Sequence, residues 1–228
     1  MDTKLTLLYF NLRALAEAPQ MMMQYRSAAY SYEMVWDYYG APWSEMKSKM
    51  PFRQLPILIV DDKTEIAQSG SIIRFLAQHL DLMPDDAHLA AEVDAVFEAS
   101  QDLSSPLNGT VNLSVGDVFT ERRKTVLEAL PPRLGDLERI LARHSEAFFF
   151  GATPHYCDFG VFHHLDLAHF LDENLLADFP QLRAYMAAFR SIPQIAAYLE
   201  SRPTLVDVGV APKLIIDGTP KSTGFKAG

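Results

Sequence analysis

The chain opens on an apolar, β-prone run from Leu5 to Phe10, and Ala14 to Tyr30 follows with Ala, Met and Gln at amphipathic spacing. These patterns predict a strand and then a helix. Tyr32 to Trp36 can form a second short strand, and Leu55 to Val60 reads as a buried strand closed by Asp61-Asp62 at a turn, with Lys63 to Ala67 returning as its hairpin partner. At Gln68-Ser69-Gly70-Ser71, hydroxyl groups can cap free backbone N–H groups, and Ile72, Ile73, Phe75, Leu76 and Leu80 give the following helix an apolar face. The first part of the chain is thus β-α-β followed by β-β-α.

Pro84-Asp85-Asp86 breaks this pattern, and the chain beyond it has no convincing strand. Ala87 to Leu103, Phe119 to His144, Cys157 to Leu171 and Pro180 to Ser191 have helical character, and Leu130-Pro131-Pro132-Arg133 is expected to interrupt a helix or begin a new one. Beyond Arg202-Pro203 the chain turns Val-, Pro-, Gly-, Lys- and Thr-rich, and Pro220 to Gly228 is expected to be poorly ordered. The expected division is residues 1–82, an α/β domain; residues 87–202, an all-helical domain; and residues 203–228, an extension to which the pattern assigns no role.

Composition narrows the possible partners. The 228 residues suffice for a full core, and 49% apolar with 21% charged residues is ordinary for a globular protein. A net charge of -9 repels phosphate backbones and anionic lipid, which argues against nucleic acid and membrane partners. Cys157 is the only cysteine, so an intrachain disulfide and a thiolate-built zinc site are both excluded. Arg13 and Glu17 come too early for a secretory signal and no segment approaches membrane-spanning length, so a cytoplasmic protein is expected.

The stretch Met50-Pro51-Phe52-Arg53-Gln54-Leu55-Pro56-Ile57-Leu58, followed by Gln68-Ser69, carries the most chemistry. A proline directly before a strand often holds a cis bond, and Leu55 before it can present its backbone N–H and C=O to an extended peptide. The helix start at Ser69 offers free N–H groups and a positive dipole end, suited to a carboxylate. Either feature alone would be a strand start or a helix cap. Together they point to an acidic peptide ligand.

These residues, with Leu5-Thr-Leu-Leu-Tyr-Phe-Asn-Leu-Arg13, Ala16-Glu17 and Trp43-Ser-Glu-Met-Lys47, resemble the cytosolic glutathione transferases, and within them the sigma class. The resemblance covers almost the whole first domain and, more weakly, the second to about residue 202. It implies a thioredoxin-like first domain, an all-helical second domain, glutathione as co-substrate, no metal and a homodimer. By the same resemblance Tyr9 is the catalytic tyrosine; Arg13, Trp43, Lys47, Gln54, Leu55 and Pro56 line the glutathione site; Gln68 and Ser69 bind the γ-glutamyl end; and Asp102 reaches the partner subunit's glutathione.

The physics of each group accords with that assignment. A neutral phenol can donate a hydrogen bond to sulfur and favour the thiolate, which is the nucleophile. Trp43 and Lys47 stand four apart and share a face if the segment is helical. Phe10 is expected on the opposite face of the strand from Tyr9, in the core. Where the family pattern reads Gly-Arg-Ala-Glu, this chain has Ala14-Leu15-Ala16-Glu17, so a cation that would favour thiolate formation is missing. Gln101 replaces an acid that serves a divalent cation in some relatives, and no Mg²⁺ effect is expected.

The electrophile pocket is expected to use Leu12, Ala14, Ser105, Leu107 and Thr110. Asp158 is expected to be structural, accepting backbone N–H bonds at a helix start whose cap is His155. His163, His164, Asp166 and His169 are expected to form a partly exposed histidine surface rather than a metal site, since adjacent histidines on a helix face different directions. Cys157 is expected to be a buried, inert thiol. A transferase acting on a hydrophobic electrophile, with possible isomerase or peroxidase side activity, is the leading reading. The alternative is a non-catalytic carrier on the same fold, and the absence of cysteine from the first domain weakens a thiol oxidoreductase.

Overall fold

Strand β1 (Leu5–Tyr9) is buried at every position because it lies inside a sheet, with a neighbour on either side. The computed structural model describes residues 3–144 and 146–224. Helix α1 (Glu17–Tyr25) carries the chain back so that β2 (Tyr30–Met34) pairs parallel with β1, Leu5 opposite Tyr30 and Tyr9 opposite Met34. The helix is shorter than its amphipathic pattern predicts. Its predicted first residues form turns, with Glu17 N–H on the Ala14 carbonyl, and Ser27 at φ 52° ends it.

Val35 and Trp36, expected in the second strand, instead begin helix α2 (Val35–Tyr39). Helix α3 (Trp43–Met46) and the 3₁₀ turns Lys47–Lys49 and Pro51–Arg53 come next. Strand β3 (Ile57–Val60) runs antiparallel to β1, and β4 (Thr64–Ala67) is its hairpin partner, giving the sheet order β2-β1-β3-β4. Helix α4 (Ser69–His79) packs beside α1 with Ile72, Ile73, Leu76 and Ala77 buried.

The helical part holds α5 (Ala87–Leu113), α6 (Gly116–Leu141), α7 (Tyr156–Ala168), α8 (Pro180–Ser191) and α9 (Pro193–Ser201). Helix α5 runs past Leu103 through Pro106, and α6 is not broken at Pro131-Pro132. Both prolines of α6 face solvent, where water can satisfy the carbonyls they leave free, while Val126, Leu130, Leu134, Leu137 and Leu141 bury one continuous stripe. Helix α7 is buried along its whole length, with α5 and α1 packed on it. Asp158 accepts from the N–H groups of His155 at 2.9 Å and Phe149 at 3.3 Å, which fixes the start of that helix. No helix among the described residues is long and apolar enough to cross a membrane.

The extension differs from its expectation. Strands β5 (Thr204–Val206), β6 (Lys213–Ile216) and β7 (Thr219–Ser222) form an antiparallel sheet with Leu205 and Leu214 buried. Asp217 at φ 48° and Gly218 at φ 72° make the two-residue turn between β6 and β7, a hairpin signal present in the sequence. Pro220 to Ser222, expected to be poorly ordered, lie in β7, and Gly224 bridges to Asn11; residues 225–228 lie outside the described residues.

Candidate functional site

A groove of about 300 Å³ runs along the first part of the chain, lined by Phe10, Leu15, Trp43, Lys47, Arg53, Gln54, Leu55, Gln68 and Ser69. Local structure explains how distant residues meet there. Helix α3 and the turn after it put Trp43 and Lys47 on one wall. The Leu55–Pro56 bond is cis, and the β1–β3 ladder begins only at Ile57, so Leu55 stands outside it. Gln68, at φ 71° and ψ 121°, strains its backbone to turn the chain into α4, whose N-terminal residue Ser69 then faces the groove. Its side-chain amide donates to Gln54 Oε1 at 3.1 Å and joins the two walls.

The groove is cationic. Lys47 and Arg53 line it, no Asp or Glu does, and neither cation has an ion-pair partner among the described residues. The start of α4 supplies free N–H groups and a positive dipole end at Ser69. An extended peptide with a carboxylate at each end would meet a helix N-terminus at one end, cations at the other and the Leu55 backbone between them.

Tyr9 is buried, 5% exposed, and burial pushes its phenol well above the ordinary range, with the nearby Leu15 backbone opposing it weakly. The phenol is therefore neutral at physiological pH and keeps its proton to donate. Tyr9 does not itself line the groove, but its chain neighbour Phe10 does. Phe10 is buried as expected, but it does not point away from Tyr9: it lines the groove, with its ring centroid 5.4 Å from that of Tyr9. Strand β1 ends at Tyr9, so strict alternation no longer applies, and Phe10 packs edge-on against Trp43 at 5.0 Å.

Four of the expected site residues, Tyr9, Arg13, Pro56 and Asp102, do not line the groove. Arg13 is buried, its Nη2 donating to the Pro203 carbonyl at 2.6 Å, with Glu17 and Asp166 3.9 and 4.0 Å away. Arg202 completes the network, pairing with Glu17 at 2.6 Å and Asp166 at 2.7 Å. Burial lowers the Arg13 pKa. It works the other way on Asp166, but Arg202, Arg13 and Arg190 hold that carboxyl below its usual range. A cation so committed has no reach to the groove, and Glu17 is paired in the interior. Asp102 lies on the surface of α5, where it accepts from Arg133 Nη1 at 2.7 Å, away from the groove of its own chain. Pro56 does not line the groove.

Leu12, Ala14, Leu107 and Thr110, expected at an electrophile pocket, are all buried, and Ser105 is exposed. Leu12 faces a separate cavity of about 200 Å³ that also touches Arg13, Tyr198, Pro203, Leu214 and Ile216. Arg53 and Leu15 were not foreseen as groove residues. The available signal was adjacency, since Arg53 precedes Gln54 and Leu15 stands at the departure from the family pattern.

His169 is exposed, but His163 and His164 are not part of any surface. His163 and His164 are each 2% exposed, and burial in the middle of α7 lowers both, His163 to about 3. Neither ring nitrogen of His163 has a hydrogen-bond partner among the described residues. No group of three or more His, Cys, Asp or Glu among those residues could hold a metal ion. Cys157 is buried, and burial pushes its thiol well up.

Residues 114–202 match the family model of the glutathione S-transferase C-terminal domain. The chain is 31% identical to "Glutathione S-transferase P 10" of Caenorhabditis elegans over 86% of this chain and 90% of that one. It is 27% identical to "Glutathione S-transferase Mu 3" of Homo sapiens over 88% and 89%. Among solved structures, rat hPGDS complexed with a quinoline superimposes with a TM-score of 0.76 at 26% identity, covering 88% of this chain and 98% of that one.

Proposed function

Since the chain belongs to the glutathione S-transferase family, we propose that it binds glutathione in the groove between Trp43 and Ser69 and activates its thiol with Tyr9. The γ-glutamyl carboxylate meets Ser69 and the start of α4, the peptide backbone meets Leu55, and the glycyl carboxylate meets Lys47. The Tyr9 hydroxyl donates to sulfur, which favours thiolate over thiol, and the thiolate attacks a hydrophobic electrophile. In this reading residues 1–82 carry glutathione and residues 87–202 supply the electrophile's wall. The enzyme works in the cytoplasm as a sigma-like homodimer in which Asp102 faces the partner's glutathione.

The observation that carries the reading is a buried, neutral Tyr9 phenol at the end of β1, next in the chain to Phe10 of a cationic, peptide-sized groove. Leu15, where the family pattern has an arginine, favours a second reading: a carrier that binds glutathione and turns over slowly or not at all. Retention on a glutathione column followed by a chromogenic-electrophile assay tests both. Binding with turnover supports the transferase, binding alone supports the carrier, and no binding overturns the two together.

A further inference from the structure

The segment between Tyr9 and Leu15 belongs to no ladder or helix of its own, and its backbone is held by groups from three other parts of the chain. The Phe10 carbonyl accepts from Tyr32 Oη at 2.8 Å. The Arg13 carbonyl accepts from Asn112 Nδ2 of α5 at 2.9 Å. The Asn11 carbonyl accepts from the N–H of Gly224 at 3.2 Å, and Asn11 Nδ2 donates to the Ser222 carbonyl at 2.9 Å.

The C-terminal sheet therefore grips this loop from both of its own ends. Pro203, where it begins, accepts from Arg13; Ser222 and Gly224, where it ends, hold Asn11; and Thr223 Oγ1 donates to the Asn112 carbonyl. Its middle is fastened to α6, since the Gly116 N–H donates to the Gly209 carbonyl at 2.9 Å. Gly209, at φ 80°, lies so close to the Phe119 ring that a Cβ there would fall 2.6 Å from it. The sheet begins where the family match stops, after residue 202.

We propose that the C-terminal sheet is a brace for the activating tyrosine: by holding Asn11 and Arg13 it fixes the segment that leaves Tyr9 at the end of β1, and with it where the Tyr9 hydroxyl points. This rests on Tyr9 being the group that activates the thiol. Asn11, Ser222 and Gly224 are positioning residues and touch no substrate. Loss of the brace moves the hydroxyl donor relative to sulfur, and small displacements of a donor weigh on the chemical step more than on binding.

Three variants test the brace: a chain ending at Lys221, Gly209→Ala and Asn11→Ala. Each is compared with wild type for kcat, the glutathione KM, the pH at which bound thiol ionises as read from thiolate absorbance, and hydrogen exchange across residues 10–16. The expected result is faster exchange in that segment, kcat lower by about tenfold, KM within about twofold, and thiol ionisation moved to higher pH. Unchanged exchange, kcat and ionisation would overturn the brace, as would a rise in KM matching the fall in kcat. Should the shortened chain fail to fold, Asn11→Ala, which keeps the whole sheet, decides. If wild type does not bind glutathione, the Tyr9 reading falls on that result alone, and exchange still judges the brace: faster in the variants sustains the grip, unchanged removes it.

Discussion

Two residues past Tyr9, Asn11 Nδ2 donates to the Ser222 carbonyl at 2.9 Å. Asn11 follows the tyrosine that carries the proposed chemistry. Ser222 ends the C-terminal sheet.

Tyr9→Phe removes the donor to sulfur and leaves the groove intact. Glutathione affinity should stay within a few fold while kcat falls by about 100-fold or more. A variant with wild-type rate and wild-type thiol ionisation removes Tyr9 from the activating role.

Leu15 lines the groove, so Leu15→Arg places a guanidinium there. A cation near sulfur should lower the thiol pKa by about one unit or more, moving the rising limb of the pH–rate profile to lower pH. A folded variant with an unmoved profile shows that the introduced charge does not reach the sulfur.

Phe52 is 73% exposed and held at φ 54°, a strained backbone that lifts an aromatic ring away from its own domain. Burial of such a ring against a second subunit contributes about 1.5–3 kcal/mol, and two-fold symmetry doubles it. Sedimentation equilibrium should show a dimer that Phe52→Ala weakens at least tenfold. Glutathione titration should show weaker binding in the same variant, because Asp102 of the partner subunit would leave the site. A monomeric wild type with normal glutathione affinity excludes Asp102, and an undisturbed variant dimer excludes Phe52 from the interface.

His163 and His164 are neutral in the folded chain because burial disfavours their charged forms, whereas in the unfolded chain they titrate near the ordinary histidine value. Their folded pKa values are depressed, so below about pH 6.5 unfolding takes up protons and stability falls with falling pH. For His163 the loss continues down toward about pH 3. Over that range His163 adds a slope of about 1.4 kcal/mol per pH unit. Urea unfolding of His163→Leu should give a shallower acid limb than wild type. An identical slope means that His163 takes up its proton before unfolding.

By itself the sequence determined the β-α-β and β-β-α order of the first domain, the helical character of the second and most of the groove. Alternation and apolar runs mark β1, β3 and β4, and Gln54, Leu55, Gln68 and Ser69 stand at chain breaks whose local chemistry announces an open backbone edge and a helix start. Those signals act over a few residues, so they survive without a fold. The direction taken by Arg13, the interior pairing of Glu17 with Arg202 and the docking of Asn11 onto Ser222 were decided only by the tertiary structure. These partners are separated by 190, 185 and 211 positions, and periodicity tells which face of an element is apolar but not what will cover it. The buried histidines obey the same rule, because α7 is apolar on every face through its place at the centre of the helical packing, which places two imidazoles out of reach of water.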